Sequence, residues 1–172
     1  MKIIDKNIKS IIKDSKLNSK FIFANNKDLD INCSILNKNF YLDTHNFFPI
    51  TNDFYTFSDT FSWGDRNKYQ NFYTQEFINN FNLNMNTFKV YEDVFILGSS
   101  SINNYYRNIM TFLPRIFFLK EKKIKLAIHR NSSNNFRNFI KSLCEKMDIE
   151  IQLIFLDEGF YKFINSKFPQ FL

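Results

Sequence analysis

Residues 93–125 read DVFILGSSSINNYYRNIMTFLPRIFFLKEKKIK, and the fold turns on this stretch. The apolar run Val94–Leu97 ends at Gly98. Three serines follow, and an amphipathic segment then runs past Pro114. A short apolar run closed by glycine signals a buried strand and a tight turn. A serine ahead of an apolar-periodic stretch caps a helix, because its hydroxyl accepts a bond from a free first-turn amide. The pattern predicts a strand, a turn and a helix over 102–120. Pro114 has no N–H to offer the carbonyl of Met110, so a bend is expected there. Backbone N–H groups at Gly98–Ser101 could also cradle a phosphate. The full dinucleotide and P-loop patterns are absent, however, which leaves a helix cap as the simpler role.

Helical spacing sorts the side chains of this segment into rows. Tyr105, Ile109, Phe112, Ile116 and Leu119 form one apolar row, and Tyr106, Met110, Leu113 and Phe117 form a second beside it. A polar stripe remains: Asn104, Arg107, Asn108, Thr111 and Arg115. A helix buried on most sides with one polar strip is expected to line solvent, a partner or a cleft.

Beyond it the pattern is regular. Ile124–Ile128 is a short apolar strand ending at His129. Ser132 or Ser133 can cap a helix whose apolar face is Phe136, Phe139, Ile140, Leu143 and Met147. Ile149–Leu156 reads as another strand, apolar enough to be buried on both faces. Strand, helix and strand at this spacing make a βαβ unit. Phe160–Ile164 reads as a further short strand, and the chain then ends at Leu172 in mid-pattern.

The first half is less regular. Ile4, Ile8, Ile11 and Ile12 have helical spacing, so an amphipathic helix is expected within 1–20, docked on the domain or lying on a membrane surface. Short strands are expected at Phe21–Phe23, Ile31–Ile35, Phe40–Leu42 and Phe54–Phe57, with a helix near 68–82. Phe88–Tyr91 and Val94–Leu97 read as two strands with Glu92-Asp93 as a hairpin turn. Trp63 with Asp65 and Arg66 could stack on a sugar, although packing is the commoner use of a lone Trp.

Length and composition bound the rest. The chain has 172 residues, which is one domain. We expect an irregular α/β part over 1–85 and a parallel βαβ part over 86–172. Asn, Lys, Ile and Phe dominate, as A/T-rich codons would produce. The net charge of +6 is therefore read as a mildly basic, solvated surface. Acids and bases alternate rather than gathering into a stripe, so no nucleic-acid partner is expected. Cys33 and Cys144 are far apart, with no CxxC, which points to reduced, buried thiols and away from a zinc site or a disulfide framework. No run approaches the roughly 18 apolar residues of a membrane span. The N-terminus lacks a signal-peptide core. A cytoplasmic protein is expected, with peripheral membrane contact left open.

Residues 104–116, NYYRNIMTFLPRI, resemble the signature of the family 61 glycosyltransferases, which often carry the description capsular polysaccharide biosynthesis protein. That motif reads approximately N-Y-[YF]-H-W-[LM]-x-[DE]-x-L-P-R. Asn104, Tyr105, Tyr106, Leu113, Pro114 and Arg115 match it, and the similarity extends over roughly Phe88 to Leu172. Three positions depart: Arg107 replaces the histidine, Asn108 the tryptophan and Thr111 the acid.

The resemblance implies a Rossmann-like parallel sheet with flanking helices, like one lobe of the two-lobed GT-B architecture. The implied activity is transfer of a sugar from a nucleotide-sugar to a glycan acceptor in surface polysaccharide biosynthesis. This chain would supply the acceptor-side lobe, and the nucleotide-sugar would be held by a missing or separate donor lobe. No cofactor and no metal are implied. By this resemblance Arg107 and Thr111 fall at catalytic positions, and Asn104, Tyr105, Asn108 and Arg115 at substrate-binding ones. Arginine stays protonated and cannot act as the base that glycosyl transfer needs, though it can bind an anion. His129 and Arg130 stand at a strand end, where open α/β sheets place ligands, and His129 is the candidate replacement. Asp157 and Glu158, after the next strand, could hold a sugar hydroxyl. The alternative expectation is a non-catalytic relative that binds a glycan or a partner protein.

Overall fold

The computed structural model describes residues 2–4, 16–22, 28–45, 47–51, 55–57, 74–98 and 104–171. They form a mixed α/β fold with ten strands and two regular helices. The strands are β1 (Lys2–Ile4), β2 (Lys16–Ile22), β3 (Asp28–Asp43), β4 (Phe48–Ile50), β5 (Tyr55–Phe57), β6 (Lys89–Glu92), β7 (Val94–Ile96), β8 (Lys123–His129), β9 (Glu150–Leu156) and β10 (Phe160–Phe171). The helices are α1 (Gln75–Asn84) and α2 (Asn134–Lys146). A central helical segment, Tyr105–Phe118, lies between β7 and β8. β1 pairs with β5, and the main sheet runs β2-β3-β10-β7-β8-β9, with β4 on β3 and β6 on β10.

The parallel part is the expected one. β7, β8 and β9 are parallel neighbours in sequence order, joined by the central segment and by α2. Both connections pack on one face. Phe95 and Leu97 of the β7 strand region and Leu126 and Ile128 of β8 meet Phe112, Ile116 and Leu119 of the segment and Phe136, Ile140 and Cys144 of α2. Ser133 caps α2, its hydroxyl accepting from the Phe136 amide. Cys144 is a free thiol, and burial pushes its pKa up to about 11, which makes it chemically inert.

The opposite face is built differently. Lys89 lies five residues before Val94, and Asp157 lies five after Gln152, which is level with Val94 through Lys125. A flat sheet would hold Lys89 and Asp157 about 30 Å apart. Instead each feels the other's charge, and the Asp157 amide donates to the hydroxyl of Tyr161, the strand partner of Lys89. The sheet therefore folds over on itself. The fold-over lies where Asp93 (φ 55°) and Asn165 (φ 48°) both leave extended geometry. The Asp93 amide donates to the Ile164 carbonyl at 3.0 Å, and the Val94 amide to Ser166 Oγ at 3.1 Å. Phe40, Leu42 and Phe163 of the folded-over part close on Val94, Ile96, Ala127, Leu156 and Phe168. Its outer face, with Tyr41, Ile50 and Phe160, is covered by Phe77, Phe81 and Met85 from the α1 region.

Several expectations are corrected. Lys2–Ile4 and Lys16–Ile22 are strands, not parts of an N-terminal helix; 5–15 lie outside the described residues. Trp63, Asp65 and Arg66 also lie outside them. No hairpin forms at Glu92-Asp93, because β6 and β7 both run parallel to β10 and Asp93 merely interrupts one course. Among the described residues β9 ends the sheet, and Glu150 and Gln152 are exposed, so it is not buried on both faces. Phe139 stands on the outer side of α2, 43% exposed.

The central segment is not one bent α-helix. It is an α-helical turn over Tyr105–Arg107, a π-helix over Asn108–Phe112 and a 3-10 helix over Leu113–Phe118, with Pro114 in the first turn of the last. A π turn rotates less per residue than an α turn, and a 3-10 turn rotates more. Rows drawn at α spacing therefore do not survive it. Phe112, Ile116 and Leu119 stay buried, but Tyr106, Met110 and Phe117 are 71%, 58% and 42% exposed. Asn108 and Arg115, expected on an open polar stripe, are buried.

Candidate functional site

Open parallel sheets present ligand sites at the carboxyl ends of their strands. Here β7 is followed by Leu97-Gly98, β8 ends at His129 ahead of Arg130, and β9 is followed by Asp157-Glu158. Gly98 has φ 157°, and a Cβ there would meet the Phe47 ring at 3.0 Å, so a side chain at this position would collide with the adjoining aromatic. Phe47 in turn lies 6.3 Å from the His129 ring.

A clamp holds the strand ends together. Thr44, buried just after β3, donates its hydroxyl to the Asp157 carbonyl at 2.7 Å and accepts from the Gly159 amide at 2.8 Å. Its own amide donates to the Gly159 carbonyl at 3.0 Å. The Arg130 amide donates to the Leu156 carbonyl at 2.7 Å, tying β8 to β9.

Side chains then converge on this frame. Arg130 grips Asp157 in a fork, with Nε donating to one carboxylate oxygen and Nη2 to the other at 3.2 Å. The guanidinium holds the Asp157 carboxyl below the usual carboxylate range, and Asp157 raises the Arg130 pKa in return. Arg137 on α2 donates to the Arg130 carbonyl and lays its guanidinium 4.7 Å from the Phe155 ring centroid.

His129 is buried, and burial lowers its pKa, so it is neutral near pH 7. Its Nδ1 accepts from the Asn131 amide at 3.0 Å, so the neutral ring carries its proton on Nε2. In this tautomer it offers a hydrogen-bond donor. Proton abstraction by Nδ1 would first require the Asn131 bond to break.

His45 is arranged the other way. Its amide is held by Asp43 Oδ1 at 2.9 Å, and its Nδ1 lies 3.5 Å from Glu158 Oε2. A carboxylate on Nδ1 favours the tautomer that leaves the Nε2 lone pair available. Both side chains are about half exposed.

The residues singled out by sequence are thus divided. His129, Asp157 and Glu158 converge at the strand ends. Asn104 and Tyr105 sit at the exposed start of the central segment. Asn108 and Arg115 turn inward, the Arg115 guanidinium 4.5 Å from the Phe112 ring centroid. Arg107 and Thr111 belong to the segment's backbone, but their side chains lie outside the described atoms. Arg130, marked with His129 by its place at a strand end, joins His129, Asp157 and Glu158, and Thr44 and His45 complete the cluster although sequence did not mark them as site residues. The available signal for these two was weak: a polar Asp-Thr-His run directly after an aromatic strand.

Among the described residues, no three His, Cys, Asp or Glu side chains are grouped as a metal site requires, and no helix is long and apolar enough to cross a membrane. No family model, no curated protein and no solved structure matches the chain.

Proposed function

We propose that this chain binds a carbohydrate at the strand-end cluster and presents it as the acceptor in glycosyl transfer, in the manner of one lobe of a family 61-like glycosyltransferase. The observation that carries this is the convergence of His45, His129, Arg130, Asp157 and Glu158 at the carboxyl edge of β8 and β9. Paired carboxylate and guanidinium groups bind vicinal sugar hydroxyls, since one accepts and the other donates in a fixed fork. The neutral His129 adds a donor. Three parallel strands with helical crossovers, β7 to β9, agree with a Rossmann-like lobe of the GT-B kind.

Transfer requires a base for the acceptor hydroxyl. Asp157 is a poor one, because Arg130 keeps its carboxylate stable. His45, oriented by Glu158, has the geometry of a base with its orienting acid. The nucleotide-sugar belongs on a donor lobe facing this edge.

The test is ligand-observed NMR with a panel of mono- and disaccharides on the 172-residue chain. Binding should appear in the low millimolar range or tighter and weaken about tenfold in Arg130→Ala, since a charge-assisted hydrogen bond is worth roughly 1.5–3 kcal/mol. Absence of saccharide binding, or binding indifferent to Arg130→Ala, would overturn the proposal. A second reading, a glycan-binding relative without transfer, is favoured by Arg107 at the motif's histidine position. It expects binding to persist while a supplied donor lobe and nucleotide-sugar give no product. The first reading expects product that His45→Ala removes.

A further inference from the structure

Among the described residues the main sheet ends in β2 on one side and β9 on the other, and the two ends are built differently. Free strand edges are ordinarily blocked by lysine, proline or a bulge, because their open amides and carbonyls invite another strand. β2 carries Lys16 and Lys20. β9 reads EIQLIFL, with neither lysine nor proline, and it pairs with β8 from Glu150 to Leu156 without a register break. Its one charged residue, Glu150, is held by Lys123 of β8 at 2.6 Å.

The bonds to β8 show which groups of β9 face outward. The Glu150 amide donates to the Lys122 carbonyl, and the Leu156 carbonyl accepts from the Arg130 amide, both at 2.7 Å. Backbone groups alternate in direction along a strand. Glu150, Gln152, Ile154 and Leu156 therefore bond toward β8, and Ile151, Leu153 and Phe155 turn their N–H and C=O groups to the open edge. The side chains of these three lie on the α2 face of the sheet and are only half-buried. With Ile149 below and Lys141 and Glu145 of α2 above, they line a groove of about 420 Å³.

This groove is complementary to itself. A two-fold axis through Gln152, normal to the sheet, sets Ile151 of one copy opposite Leu153 of a second, and Ile149 opposite Phe155. The apolar row then packs on its own reverse, while Ile151 and Leu153 exchange their outward amides and carbonyls. On the other face the two exposed Gln152 side chains meet, and each amide offers the donor and the acceptor that the other needs. Each α2 lies over β8 and β9, so the two helices run antiparallel about 10 Å apart, an ordinary packing distance. Lys141 and Glu145 are both exposed and one turn apart, and each then faces its opposite charge on the second copy.

We infer that β9 and α2 form the interface of a symmetric homodimer, in which two β9 strands pair antiparallel and continue the sheet across both copies. A second copy is the occupant because the apolar row, the amide and the two charges all repeat in reverse order about one residue, as a two-fold interface requires. The inference stands apart from the carbohydrate reading and uses none of its residues.

The experiment is sedimentation velocity over a dilution series of the 172-residue chain. A species of twice the chain mass should form and dissociate to the single chain on dilution. Gln152→Glu sets two carboxylates face to face at the axis, whereas within one chain the new carboxylate lies level with Lys125. Its dissociation constant should rise about tenfold or more. Lys141→Glu and Glu145→Lys should each weaken association about tenfold, since each brings like charges together, and the double exchange should restore it. All three positions are exposed, so the fold is kept. A single chain at every concentration overturns the inference. So does a dimer indifferent to Gln152→Glu, a dimer that the double exchange fails to restore, or growth beyond two copies.

Discussion

His129 combines burial with a fixed tautomer, and that has a pH consequence. The unfolded chain takes up a proton near the ordinary histidine pKa of 6.5, whereas the folded pocket resists it. Between the two pKa values the unfolded state binds more protons, so stability falls as pH drops below about 6.5 and recovers as pH rises through that value. Asp157 and Glu158 nearby oppose the shift and His45 adds to it, so the slope is shallower than for an isolated buried histidine. Urea midpoints measured between pH 5 and 7.5 should decline on the acid side. His129→Asn, whose side-chain oxygen can still accept from the Asn131 amide, should flatten the decline. A slope unchanged by that substitution would show that His129 protonates freely when folded. His129, Asp157 and Glu158 were legible as candidates because each follows an apolar run at a strand end. His45 was not, since its partner Glu158 is remote in sequence and only the Thr44 clamp brings them together.

At the scale of elements, the central segment and the paired breaks at Asp93 and Asn165 decide the geometry. Asn165 sits at φ 48°, in the left-handed region that asparagine tolerates and β-branched residues do not. Asn165→Val should therefore destabilise by about 1–2 kcal/mol in urea unfolding, while the same change at exposed Asn138 on α2 should stay within about 0.5 kcal/mol. Comparable losses at both positions would show that the break at Asn165 is not a strained, specified feature. The left-handed asparagine was hidden in a chain where asparagine is everywhere. For the central segment, existence and extent were readable, but face assignment was not. Pro114 announces an irregularity without saying whether the chain bends, widens into a π turn or tightens into a 3-10 turn. That choice turned Asn108 and Arg115 inward and Tyr106, Met110 and Phe117 outward.

For the whole molecule, the two sheet parts share an apolar core in which Phe40 and Phe163 pack with Val94, Ile96, Ala127 and Leu156, and Phe40 meets Phe168 edge-on at 6.2 Å. Phe163 is fully buried, with its ring stacked 5.4 Å from Phe40 and 5.7 Å from Tyr91. Phe163→Ala leaves a cavity between the parts and should cost about 3–5 kcal/mol, a large share of the roughly 5–15 kcal/mol that holds a domain of this kind together. Chemical denaturation should show that loss as one cooperative transition at lower urea. Two separated transitions would mean that the folded-over part and the β7–β9 part unfold independently.

The sequence alone determined the local periodicities: β8, α2 with a serine cap at Ser132 or Ser133, β9, a strand before Gly98 and a helical segment after it. Each of these rests on neighbours in the chain, where side-chain spacing and capping chemistry act directly. Tertiary structure decided the rest. Whether β6 and β7 form a hairpin or one interrupted course, which rows of the central segment face the core, and which polar groups meet Arg130 all depend on contacts between distant residues. Thr44 lies 113 residues before Asp157, and no periodicity spans that interval. The strand-end cluster exists because the sheet folds over at Asp93 and Asn165, bringing β3 and β6 to the ends of β8 and β9.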